Sequence, residues 1–139
     1  MVFVYDQAHL RQSIYVNGKE VVNCRGKESY GHGNDIYLGE WGGGNKWAGE
    51  IRDARIYRKA FSTADINMMF PPGYESRGWL QSPGVLSQFP VHIGAPDTLG
   101  IKHQSFTASA MVKRTQSGNQ DFTIFGSSKL HLVVRNYTI

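Results

Sequence analysis

Cysteine, proline and long apolar runs are all scarce in this 139-residue chain, and each scarcity removes a class of protein. The one cysteine, Cys24, has no partner for an intramolecular disulfide, so a small disulfide-stapled scaffold is excluded. No apolar stretch approaches the roughly 18 residues that a membrane-spanning helix needs, which predicts no membrane insertion. The opening Met1-Val-Phe-Val-Tyr-Asp6 is apolar over a few residues only and lacks a basic leader, so no signal peptide is expected there. Charge of one sign is also modest: 15 Lys+Arg against 11 Asp+Glu leave +4. The positive residues are scattered, with Arg52, Arg55, Arg58 and Lys59 the nearest approach to a cluster. Nucleic-acid binding calls for a denser stripe or a known module, and is not expected. All 5 prolines fall between Pro71 and Pro96, so the first half of the chain is free of them. The 5 histidines (9, 32, 92, 103 and 131) show no metal-ligand spacing, and Cys24 has no nucleophile signature around it.

What is present is a supply of aromatics, 7 Phe, 7 Tyr and 3 Trp, sufficient for a core, set in short alternating runs separated by turn residues. Strands are predicted over 1–5, 10–16, 19–24, 35–39 and 50–57. Asn17-Gly18, between two β-rich runs, is a strong hairpin signal because both central residues of a type I′ turn need positive φ. In the run 50–57, strict alternation places Ile51, Asp53, Arg55 and Tyr57 on one face and Arg52, Ala54 and Ile56 on the other. Neither face is apolar throughout, which predicts one partly wet face. One helix is expected over 62–70. Ser62 is its N-cap, Asp65 completes a capping box, Phe61 and Ile66 form a hydrophobic staple, and Pro71-Pro72 ends it. The stretch 71–83 reads as a linker. Strands then return over 85–89, 91–94, 105–113, 122–126 and 129–135, with 115–121 a polar turn. About ten short strands and one helix indicate an all-β sandwich or barrel.

Several strings resemble a laminin G-like module of the concanavalin A-like lectin and glucanase type. They are Val2-Phe-Val-Tyr-Asp6, Ile14-Tyr-Val-Asn-Gly-Lys-Glu-Val21, Ile36-Tyr-Leu-Gly39 and, most specific, Gly49-Glu-Ile51 with Arg55-Ile-Tyr57 and Ala60-Phe-Ser-Thr-Ala-Asp-Ile66. These look like the C-terminal half of such a module. Val91-His-Ile-Gly94, Ser105-Phe-Thr-Ala-Ser-Ala-Met-Val-Lys113, Thr123-Ile-Phe-Gly126 and Leu130-His-Leu-Val-Val134 resemble its opening strands, with Met111 where the family usually has Trp. The resemblance implies an antiparallel jelly-roll β-sandwich. It also implies that the halves stand in permuted order: 1–70 as the module's end, 71–83 as linker and 84–139 as its beginning, all in one domain. The chain ends would then lie at a gap that exposes sheet edge. Met1 to Tyr5 and Leu130 to Val134 are expected at that edge, inviting a homodimer.

Retaining β-glucan hydrolases of this fold class carry a Glu-x-Asp-x-x-Glu strand, which is absent here. Glu50 and Asp53, three apart on a strand, are expected on opposite faces, so no enzymatic activity is predicted. The loop Gly39-Glu-Trp-Gly-Gly-Gly-Asn-Lys-Trp47 has two readings: a flexible connection with Trp47 turned into the core, or a recognition loop in which Trp41 stacks on a sugar ring. In the second reading Glu40, Asn45 and Lys46 add polar contacts, with Tyr30 and His32 contributed by the preceding loop. Asn34, Asp35 and Glu40 are candidate oxygen ligands for calcium, in competition with a plain turn role for Asn34 and Asp35. The function expected is a non-catalytic carbohydrate-binding, lectin-like module. The alternative is a protein–protein interaction or adhesion module of laminin G-like type. An extracellular or cell-surface setting is implied by the resemblance alone.

Overall fold

Asn17 and Gly18 both adopt positive φ, 49° and 79°, as a type I′ turn requires. That turn folds β2 (Arg11–Val16) back on β3 (Lys19–Arg25). β1 (Val2–Asp6) pairs antiparallel with β2 on one side and with β7 (Phe106–Arg114) on the other, and β5 (Gly49–Tyr57) closes the sheet beyond β7. The order is β3-β2-β1-β7-β5. A second antiparallel sheet runs β6-β4-β8-β9, from Val91–Gly94, Ile36–Leu38, Phe122–Gly126 and His131–Val134. The computed structural model describes residues 1–26, 35–71, 89–115, 122–127 and 131–134. All but the first residue of the linker expected over 71–83, most of the strand expected over 85–89 and all but the first residue of the polar turn over 115–121 lie outside these.

The two sheets pack face to face as a β-sandwich. Phe3, Tyr5, Ile51, Phe106, Ala108 and Ala110 from the larger sheet meet Ile36, Leu38, Ile124, Phe125 and Leu132 from the smaller one. Trp47 joins this core at 5% exposure, as expected for the second tryptophan of its loop. Both sheets mix strands from the two halves of the chain: β7 lies between β1 and β5, and β4 between β6 and β8.

The single helix among the described residues, α1 (Thr63–Met69), forms as its sequence directs. Ser62 caps it, its Oγ accepting from the Asp65 backbone N–H while the Asp65 carboxylate accepts from the Ser62 N–H. The chain leaves helical geometry at Phe70, ahead of the two prolines. α1 lies over the outer face of the larger sheet. There Ile66, fully buried, packs with Val2, Val4 and Tyr15 and with the partly buried Phe61, Met69 and Phe70. Burying a side chain the size of Ile66 stabilises the fold by about 1.5–3 kcal/mol.

Two expectations are corrected here. The segment expected at an exposed edge, Met1 to Tyr5, is central: β1 is third of five strands, and Val2 to Tyr5 are at most 8% exposed. Its unbroken apolar run is explained by burial on both faces, Phe3 and Tyr5 into the sandwich and Val2 and Val4 under α1. The edge strands among the described residues are β3, β5, β6 and β9, so of the two segments expected at an edge, the described part of the second, β9, lies at one. The alternation read over 50–57 also fails. Arg52 pairs with Met111 and Arg55 with Ser109, leaving one residue in excess, and Asp53 takes φ 50°. This β-bulge resets the parity, so Ile51 and Ile56, placed on opposite faces by simple alternation, both pack on the core. The same shift removes the strand-parity argument for separating Glu50 from Asp53.

Candidate functional site

The smaller sheet leaves part of its outer face open. In β4, Ile36 and Leu38 point into the core while Tyr37 between them is 37% exposed. On the neighbouring β6, His92 pairs in register with Tyr37, and the two rings meet at 5.3 Å between centroids. His92 Nε2 lies 2.6 Å from Asp35 Oδ2, just before β4, so the histidine and the carboxylate fix each other above the sheet.

Beside this face, the segment after β4 makes a tight excursion rather than a loose connection. Trp41 and Gly44 exchange two backbone hydrogen bonds, 3.2 and 3.1 Å, across Gly42 and Gly43. Both glycines have positive φ, 62° and 79°, which side-chain-bearing residues adopt with strain. The loop is pinned at its base, where Gly39 N–H donates to Ile124 O and Trp47 N–H to Gly39 O, each at 2.8 Å. Trp41 at its tip is 40% exposed, and its indole N–H donates to the carbonyl of Ser127, 3.0 Å away. That bond holds the ring plane in place before any ligand arrives.

Together these groups line an open cleft of about 440 Å³. Its walls are Asp35, Tyr37, Glu40, Trp41, Gly42, Gly43, Gly126 and Ser127. Gly126 is required at the floor: a Cβ there would collide with the carbonyl oxygen of Glu40. An exposed indole and phenol supply apolar faces and the two carboxylates supply hydrogen-bond acceptors, the combination that a hydroxylated ring with one C–H-rich face engages.

Of the residues expected at the site, Trp41, Glu40 and Asp35 come together in the cleft. Asn45 and Lys46 are exposed on the same loop but are not among the lining residues. Asn45 has a backbone role: at φ 49° it turns the chain, and its carbonyl accepts from Thr123 N–H at 3.0 Å. Tyr30, His32 and Asn34 lie outside the described residues. Among the described residues no three His, Cys, Asp or Glu side chains converge as a metal site. Sequence reading missed Tyr37, His92 and Ser127. The signal for the first two was an aromatic or polar residue between inward-facing aliphatics, Ile-Tyr-Leu and Val-His-Ile; Ser127 acts through its carbonyl, which no residue type reveals.

Residues 1–67, from β1 into α1, match the family model Laminin_G_3, described as the concanavalin A-like lectin/glucanases superfamily. No curated protein and no solved structure matches the chain.

Proposed function

From the laminin G-like, concanavalin A-like character of residues 1–67, we propose that this chain is a non-catalytic binding module that takes a saccharide in the Trp41 cleft. The observation that carries the reading is the preset indole: Trp41 is exposed at the mouth of the cleft while its N–H is already bonded to Ser127. An indole held by its N–H with its face partly open to solvent is a surface on which a pyranose ring can stack. Tyr37 extends the platform, and Glu40 and Asp35 offer acceptors for sugar hydroxyls.

The superfamily description names lectins and glucanases together. Binding without turnover is favoured here because a carboxylic acid able to protonate a leaving group needs a dry, apolar setting. The Asp35 side chain is 44% exposed and engaged with His92. A glycan array on the 139-residue chain and on Trp41→Ala tests the proposal. Binding to at least one glycan class, lost in the variant, supports it; a blank array overturns it. Release of reducing sugar from a bound β-glucan would overturn the non-catalytic part.

A protein partner is the second reading, favoured by the edge strand β3. All seven of its residues are exposed, including Val21 at 56% and Val22 at 42%. An added strand, from another protein or a second copy of this chain, would cover them. A register shift between β2 and β3, together with Lys19, Glu20 and Arg25, disfavours flat edge pairing, so the cleft reading takes precedence. Light scattering after size exclusion decides the homodimer: a mass of one chain removes it.

The permuted order of the halves belongs to the same proposal. It is supported by the mixing of strands from both halves in each sheet. A chain rebuilt with 84–139 preceding 1–70 should melt cooperatively and bind as the original does. Failure to fold in that order would sink the permutation while leaving the cleft untouched.

A further inference from the structure

Among the described residues, the charged side chains lining the cleft are two carboxylates, Asp35 and Glu40, opposite in sign to the formal +4 of the chain. No lysine or arginine appears among the described lining residues, and Lys46, the nearest cation along the loop, is exposed outside them. Asp35 contacts His92 through one oxygen, Oδ2, and a carboxylate has two. The partly exposed rings of Trp41 and Tyr37 line the same space. Carboxylates set beside an indole and a phenol are the surroundings in which an ammonium group is favoured. The carboxylates accept charge-assisted hydrogen bonds, and the rings attract a cation through their quadrupoles.

Resting on the saccharide reading above, we infer that the cleft selects amino sugars whose nitrogen is unacylated and protonated, over neutral, N-acetylated and acidic ones. N-acetylation removes the cation and adds bulk at the same position. Sulfated and uronic saccharides would bring an anion against Asp35 and Glu40. The positive charge of the whole chain opposes indiscriminate binding of a cationic oligosaccharide, so capture of one reports on the cleft rather than on the general surface.

The experiment compares three β-1,4-linked trisaccharides by calorimetry at a pH that keeps the amine protonated: glucosamine, N-acetylglucosamine and glucose. The amine trimer should bind about tenfold or more tightly than the other two, the scale of one charge-assisted hydrogen bond. Glu40→Gln and Asp35→Asn should each weaken binding of the amine trimer by a larger factor than binding of the glucose trimer, so that the preference shrinks. Trp41→Ala should weaken all three. Equal affinities for the three trimers would overturn the selectivity and leave the saccharide site standing. A preference for the amine that persists in the Glu40→Gln, Asp35→Asn double variant would also overturn it. Failure of every trimer to bind, with a blank glycan array, would remove both readings, and an intact thermal melt of each variant excludes misfolding as the cause.

Discussion

The two sheets treat their outer faces in opposite ways. On the larger sheet, the chain folds α1 back over Val2, Val4 and Tyr15, and the face becomes a second small core. On the smaller sheet, Tyr37 and His92 are partly exposed, and Tyr37 lines a cleft. Under α1 the outward residues Val2, Val4 and Tyr15 are buried, whereas Tyr37 and His92 stay partly in solvent. A covered face contributes stability. The open face, lined by rings and carboxylates, is the one proposed above to take a ligand.

That contrast can be broken by substitution. The largest expected effect is at the covered face: Ile66→Ala should lower the free energy of unfolding by about 2–5 kcal/mol in urea titrations. Tyr37→Ala on the open face should cost less than about 1 kcal/mol and weaken glycan binding instead. Equal losses of stability would mean that the two faces do the same job. Next is Gly126→Ala, where the new Cβ meets the Glu40 carbonyl and must push the cleft wall outward. A destabilisation of about 1–3 kcal/mol and loss of saccharide binding are expected, measured by thermal melt and calorimetry. Ser62→Ala removes the helix cap and should cost about 1 kcal/mol with binding unchanged.

The smallest effect is in the pH dependence of the cap of α1. Asp65 is held below the usual carboxylate range, chiefly by the backbone N–H of Ser62, then by its hydroxyl and by Lys59. A carboxylate whose folded pKa is depressed stabilises the fold above its unfolded pKa, and that contribution fades as pH falls through the folded value. The melting temperature should therefore decline on acidification below about pH 4 more steeply in the parent than in Asp65→Asn. Parallel profiles would remove the capping carboxylate from the account.

Features written in neighbouring residues were legible in the sequence, and those decided by distant ones were not. Asn17-Gly18 and Ser62 with Asp65 carry their structure in their own side chains and backbone preferences, and both formed as read. The central place of β1 depends on which strands flank it, and β7 lies about a hundred residues away in the chain. The bulge in β5 left no mark because the residue at φ 50° is Asp53, not a glycine. At the site, Trp41 announced itself as a tryptophan in a glycine-rich loop. Tyr37 and His92 were hidden inside strands and became neighbours only when β4 and β6 paired.

The position of β1 also sets a schedule for the ribosome. β2 can pair with β1 soon after both leave the tunnel, but the partner on the other side, β7, ends at Arg114. At about 5–20 residues per second, the segment between them takes roughly 5–20 s to synthesise. Throughout that interval a strand reading Val-Phe-Val-Tyr lacks its second partner, and an unpaired apolar edge is a site at which nascent chains aggregate.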